Sequence, residues 1–194
     1  MLEAARKGDF SVRLSSGRGV TARRVADALN GILERNEIVA DEDDDLWVVC
    51  SGRSDFNTGE VEENGQVVVV DSETLEVTAR FEQDGVLLGG AALGQDAAYD
   101  RDREALYVVQ SNAGADDAVL RYDTDRNAFD SRLSVGGQDI GGVGFGEGRL
   151  YLGRLDALNP FSDNGDVTIH ERSGEEVGRF AAGVAPAAFA FARD

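Results

Sequence analysis

Few residues in this chain are equipped for chemistry. His170 is the only histidine and Cys50 the only cysteine. A Ser-His-Asp arrangement would have to recruit His170, no G-x-S-x-G elbow accompanies it, and its counterparts in similar segments are Val70 and Tyr122, so it reads as a packing or surface position. Cys50 closes an apolar run and reads as a small residue of the interior rather than a nucleophile. A lone cysteine makes no internal disulfide and no CxxC metal site. The glycine run GGQDIGGVGFGEG has no G-x-G-x-x-G in register and leads to a strand, which removes a dinucleotide fingerprint. Oxygen-bearing loops remain. Gly52 is followed by Arg53, Asp55 and Asn57, and Gly153 by Arg154, Asp156 and Asn159. Each group runs on to an Asn-Gly pair, Asn64-Gly65 and Asn164-Gly165, suited to turns of positive φ. A second echo, Gly94-Gln95-Asp96 and Gly137-Gln138-Asp139, adds Asp96 and Asp139 to the ligand-binding candidates. Asp156, Asn159, Asp163, Asn164 and Asp166 lie within eleven residues. Hard cations such as calcium take six to eight oxygen ligands of these kinds, so Asp156, Asn159, Asp163 and Asp166 are candidate calcium ligands. No other cofactor is expected. The competing reading pairs Arg53 with Asp55 and Arg154 with Asp156 and leaves the other carboxylates as solvated turn formers.

The scaffold that would gather these loops is a repeat. LWVV (46–49), LYVV (106–109) and LYLG (150–153) are short apolar strands with an aromatic second residue. Each leads through a polar loop into QVVVVDSETLEVTARF (66–81), AVLRYDTDRNAFDSRL (118–133) or DVTIHERSGEEVGRF (166–180), where a polar turn divides two alternating strands, the mark of a hairpin. AAYD, GGVGF and the C-terminal PAAFAF supply a further strand of small residues suited to an innermost position. Gly94 and Gly137 stand 43 positions apart, matching the roughly 40–45 residues of a four-stranded propeller unit. The first unit shows no inner strand of its own, and PAAFAF is expected to supply it. Trp47, Tyr107 and Tyr151 are expected core aromatics. Asp55, Asp96, Asp139, Asp156, Asp163 and Asp166 would gather on one rim.

The 194 residues are 42% hydrophobic and 29% charged, a globular composition. Apolar runs such as Val67 to Val70 fall far below the roughly 18–20 residues of a membrane span. MLEAARKGDF carries charges where a signal peptide needs an apolar core, so the cytoplasm is the default compartment. A net charge of −18 argues against nucleic acid, whose phosphates call for clustered cations. Charge also divides the chain: residues 1–38 hold seven cations and five anions, leaving twelve and thirty-two for the rest. Lys7 is the only lysine, which fits a salt-adapted or a GC-rich genome. Val25, Ala28, Leu29, Ile32, Leu33 and Val39 recur at helical spacing behind Thr21 as N-cap. The chain therefore divides into a helical segment, 1–42, and a repeat domain, 43–194.

The run LEAARKGDFSVRL, a glycine-containing connector and GVTARRVADALNGILERNE resemble the HAMP signalling module, through Gly8-Asp9-Phe10, Val12 and Leu14, then Ala28-Leu29-Asn30 and Asn36-Glu37. The resemblance implies helices that dimerise and relay a change of state. GQVVVVDSETLEVTARF, the LYVV strands and GDVTIHERSGEEVGRFAAGVAPAAFAF resemble propeller repeats of the YVTN or surface-layer type, over about 150 residues, which implies an exported origin for that part. The expected fold is thus mainly β: a partial propeller of about three four-stranded antiparallel blades behind a short helical segment. Closed propellers have about four to eight blades, so one expectation is a homodimer completing a six-bladed ring. The expected function is a non-enzymatic binding or scaffold module that presents an acidic loop face to a protein or small-molecule ligand. The alternatives are a signalling fragment working through the HAMP-like helices, and a hydrolase using rim carboxylates.

Overall fold

A computed structural model describes residues 36–41, 45–55, 58, 60–87, 96–111, 116–137, 139–156, 158–159 and 162–191. The helical segment up to residue 35, Asn57, Gly94, Gln95 and Gln138 lie outside the described residues.

The described chain is mainly β, in three antiparallel meanders. In the first, β1 (Asn36–Ala40) and β2 (Leu46–Cys50) are followed by a small hairpin of β3 (Arg53–Ser54) and β4 (Val61–Glu63). β5 (Gln66–Val70) and β6 (Val77–Glu82) complete the sheet in the order β1-β2-β5-β6. β7 (Val86–Leu87) and β8 (Ala97–Asp100) both pair with one side of β9 (Ala105–Ser111). β10 (Ala118–Asp123) and β11 (Ala128–Ser134) finish the second sheet. The third runs β12 (Ile140–Gly146), β13 (Arg149–Arg154), β14 (Asn164–His170) and β15 (Glu176–Val184) in sequence order. LWVV, LYVV and LYLG thus become the second strand of each meander, and the three polar turns become the hairpins between its last two strands. Turn chemistry fixes them: Asp71 Oδ1 accepts the Glu73 and Thr74 amides at 2.9 and 2.7 Å, and Asp123 Oδ1 accepts that of Arg126 at 2.9 Å.

Strand alternation then sends successive side chains to opposite flanks. Trp47, Val49, Val67 and Val69 of the first sheet meet Leu106, Val108, Leu120 and Tyr122 of the second. The odd-numbered residues of β9, Tyr107 and Val109, meet Leu150, Leu152 and Val143 of the third with Val119 and Leu133. A strand buried on both flanks must be apolar throughout, which is why β9 reads as an unbroken run. Each fully buried large side chain stabilises the stack by about 1.5–3 kcal/mol. Trp47 stacks on Phe81 with ring centroids 5.9 Å apart, and Tyr107 on Phe145 at 5.6 Å. Arg172, in the β14–β15 turn, forks onto both oxygens of buried Asp100 and lies over the Phe145 ring, tying the third sheet to the second.

Two expectations are corrected. The first sheet has its own inner strand, β1, so Val39 is a strand residue and the sheet begins inside the segment 1–42 assigned to helix. PAAFAF accordingly does not close the first unit. Pro186 to Phe191 lies outside any strand and runs along β12 of the third sheet, Ala187, Phe189 and Phe191 facing Gly142, Gly144 and Gly146 in turn, and Phe191 meets Tyr151 of β13 with ring centroids 5.1 Å apart. Glycine makes the room: a Cβ on Gly142 would stand 2.1 Å from the Ala187 carbonyl oxygen, and one on Gly153 1.9 Å from that of Pro186. No helix among the described residues is long and apolar enough to cross a membrane.

Candidate functional site

The pairing registers decide which loop residues are equivalent. Val49 pairs with Val67, Val109 with Val119 and Gly153 with Val167. The next residue out is therefore Cys50, Gln110 or Arg154, one column at the loop end of the three sheets. The Gly-Arg-x-Asp echo does not survive this alignment: Gly52 sits in a left-handed turn after β2, whereas Gly153 is inside β13. The Asn-Gly glycines are corrected likewise. Neither Gly65 nor Gly165 has positive φ; each is required by close approach, a Gly165 Cβ falling 2.0 Å from the Arg154 carbonyl oxygen.

The column holds the sheets together. Buried Gln110 donates from Nε2 to the Asp84 carbonyl at 2.6 Å, reaching past the end of the first sheet, and its Oε1 accepts from Arg132. Arg154 Nη2 donates to the Val135 carbonyl at 2.8 Å, past the end of the second. Its Nε donates to Thr168 Oγ1 at 3.3 Å, and Nη1, shielded from solvent, has no partner. Burial lowers the Arg154 pKa, and Asp117 acts in the opposite sense. Behind Thr168 lies His170, fully buried rather than at the surface. Its Nδ1 is 2.9 Å from the Gly174 carbonyl, which can only accept, so Nδ1 carries the proton and Nε2 accepts the Thr168 hydroxyl at 2.9 Å. Burial holds the imidazole below its ordinary pKa.

Arg154 faces a cavity of about 460 Å³ whose wall includes Asp156, Asp166, Glu176, Arg179 and the Gly136-Gly137 turn. Arg179 donates to both oxygens of Glu176 at 3.1 Å and holds that carboxyl below its usual range. Asp139 stands beside this group: burial first, then Asp117 and Asp156, raises its pKa. Arg154, Asp139, Asp156 and Asp166 are thus brought together. Arg53 is not. It is exposed on β3 and pairs with Glu62 at 3.1 Å and Glu63 at 3.5 Å instead of Asp55. Asp55 accepts the Thr58 amide at 2.8 Å and shapes its own loop. Asp96 is buried in the second sheet, its carbonyl accepting the Val109 amide at 3.0 Å. The Asp139 carbonyl takes the Leu155 amide at 2.9 Å, so the Gly-Gln-Asp echo marks a backbone anchor in both units.

Of the calcium candidates, Asp156 Oδ1 accepts the Leu158 and Asn159 amides at 2.9 and 2.7 Å, and Asp163 accepts the Asn159 side-chain amide at 2.9 Å. Asp166 faces Arg179 at 3.5 Å. Among the described residues no group of three or more His, Cys, Asp or Glu side chains could hold a metal ion. Sequence reasoning passed over Gln110, Thr168, Glu176 and Arg179. Aligning LYVVQ with LYLGR exposes the first of these beside Arg154, and the ARF, SRL and GRF strand ends line up Arg179.

No protein-family model and no curated protein matches the chain. Among solved structures, it is similar to the one described as "The beta-propeller domain of the Trilobed protease from Pyrococcus furiosus reveals an open velcro topology", with a TM-score of 0.46 and 9% identity. The match covers 77% of this chain and 44% of that one, so the chain spans less than half of that neighbour's length. The fold assignment rests on the sheets themselves.

Proposed function

We propose that the chain is a propeller-type binding module. Its three meanders are blades, and Pro186 to Phe191 runs where the innermost strand of a fourth would lie. The ligand enters the cavity at Arg154. One observation carries this: a half-buried guanidinium, one of whose nitrogens lacks an acceptor, lines a cavity whose other charged groups are Asp156, Asp166, Glu176 and the Arg179 that pairs with Glu176. A volume of about 460 Å³ falls in the range of small-molecule sites, about 300–1,000 Å³. The charges suit a small zwitterion, its anionic end toward Arg154 and its cationic end toward Asp156 and Asp166. Binding needs no bond to break, and no reaction is assigned. The HAMP-like relay depends on residues outside the described ones, and the rim-carboxylate hydrolase has no selected pair.

Titration calorimetry with free amino acids and dipeptides tests the reading. At least one member should bind, and Arg154→Met should weaken it about 10- to 150-fold, the worth of a hydrogen bond to a charged group. Arg53→Ala should leave affinity unchanged. Circular dichroism confirms that the Arg154→Met chain is folded. A panel with no binder, or a ligand indifferent to Arg154→Met, defeats the proposal. Calcium is the competing occupant of the Asp156 loop. On that reading millimolar calcium raises the melting temperature and Asp163→Ala removes the rise.

A further inference from the structure

Two side chains of the third sheet bring hydrogen-bonding groups to places that the other sheets fill by packing. Thr168 pairs with Leu152 as Val68 pairs with Val48 and Leu120 with Val108, so the three are equivalent. His170 is equivalent in the same way to Val70 and Tyr122, each opposite a leucine. Packing alone therefore calls for neither a hydroxyl nor an imidazole here. Both side chains are fully buried, and a buried polar group costs free energy unless it finds its partners. The difference between the sheets that needs them is one strand away. At the loop end stand Cys50, Gln110 and Arg154, and only the third sheet has a guanidinium to hold. Gln110 is satisfied from outside its own strand pair, by Asp84 and Arg132, and needs nothing from Leu120.

Arg154 instead finds an acceptor diagonally across β13 and β14, its Nε donating to Thr168 Oγ1 at 3.3 Å. A hydroxyl has one proton and two lone pairs. The Thr168 proton is committed to His170 Nε2 at 2.9 Å, which leaves the oxygen's lone pairs for Arg154. The Gly174 carbonyl, 2.9 Å from Nδ1, keeps the ring in the tautomer that can accept. With Nη2 held by the Val135 carbonyl at 2.8 Å, the guanidinium is anchored at two atoms and its plane is fixed. Neither Thr168 nor His170 is in the wall of the cavity, so each acts through Arg154. We infer that Thr168 and His170 are positioning residues for Arg154, holding its guanidinium in one plane at the cavity so that an anionic group meets a donor already ordered. A preordered donor spares the ligand the cost of fixing it. The inference rests on the reading of Arg154 as the anchor of a ligand and names what holds that anchor.

The test is made on the full chain. In NMR spectra with nitrogen-labelled arginine, the Nε–H signal that Arg154→Met removes should exchange slowly with solvent. Thr168→Val, which keeps the shape and drops the hydroxyl, should speed that exchange about tenfold or more, the worth of a hydrogen bond to a charged group. Thr168→Ser should keep the parent rate. His170→Phe puts a ring where the second sheet has Tyr122 and should also speed exchange, because the Thr168 proton then has no acceptor. Leu120→Val is the structural control: Leu120 packs toward the first sheet, so its loss should leave the Arg154 signal alone. The imidazole needs no assignment, His170 being the only histidine, and its nitrogen shifts should place the proton on Nδ1. In the calorimetric panel of amino acids and dipeptides, Thr168→Val should weaken the members that bind about tenfold or more, and Thr168→Ser less than about threefold. An unchanged exchange rate in Thr168→Val overturns the inference. So do an equal acceleration in Leu120→Val, a ring proton on Nε2, or panel binding indifferent to Thr168→Val. A panel without any binder defeats the cavity reading instead, and the exchange rates then decide the positioning by themselves.

Discussion

His170 shows how one side chain acquires its role from its neighbours. It occupies the column of Val70 and Tyr122, both packing residues, yet it is wired from Arg154 through Thr168 to the Gly174 carbonyl. The chain of donors works only with a neutral ring, because a protonated Nε2 would turn a donor toward the Thr168 hydroxyl and leave it competing with the Arg154 Nε–H for the same oxygen. Burial lowers the folded pKa below the ordinary 6.5. Between 6.5 and that lower value the unfolded chain takes up a proton that the folded chain refuses, so stability is full above the window and falls as pH falls through it. Thermal melts from pH 7.5 to 5 should therefore show a decline that His170→Gln flattens. A wild-type curve flat down to pH 5 would contradict the wiring. Arg154 shares this network, and Gln110, its counterpart, is satisfied by Asp84 and Arg132. A cation in place of an amide, with one nitrogen unmatched, is what sets the third loop end apart.

At the scale of elements, β12 is the strand on which the architecture turns. Its sequence, IGGVGFG, would be a poor strand in isolation, because glycine costs backbone entropy and offers nothing to pack. Tertiary contact explains the composition: Ile140 and Val143 face the second sheet, while Gly142, Gly144 and Gly146 leave space on the other flank for Ala187, Phe189 and Phe191. Gly153→Ala should thus force the tail away from β13, where its Cβ would stand 1.9 Å from the Pro186 oxygen. Such overpacking costs about 1–3 kcal/mol. Gly178→Ala is the control, its nearest neighbour being the Ile169 side chain at 3.5 Å, an ordinary contact. Equal melting temperatures for the two variants would mean that the tail contributes nothing to stability.

For the whole molecule, charge outweighs shape as the quantity that salt should reveal. Residues 39–194 hold thirty-two anions and twelve cations, and eight ion pairs among described residues offset only part of this. Most of these pairs are solvent-exposed and worth about 0–1 kcal/mol each. The remaining self-repulsion is screened as the Debye length shrinks from about 10 Å at 0.1 M to 3 Å at 1 M salt. The melting temperature should rise with sodium chloride over that range, each kcal/mol of relief giving about 2–4 °C in a chain of this size. A fall would mean that ion pairs, not repulsion, dominate the electrostatics.

The repeating unit is legible along the chain, because strand alternation, polar turns and apolar runs are local signals: LWVV, LYVV and LYLG are central strands, and the three predicted hairpins lie where their turns placed them. The sequence also brought Arg154, Asp139, Asp156 and Asp166 forward, since turn-forming carboxylates cluster along the chain before they cluster in space. That β1 precedes the first unit, that the C-terminal segment lies on the third sheet, and that Arg154 corresponds to Gln110 rather than Arg53 emerge from the packing of the sheets. Those are questions of which flank meets which, set by contacts between elements as separate in the chain as Gly142 and Ala187, or by a register shift of a few positions, and no local pattern encodes them.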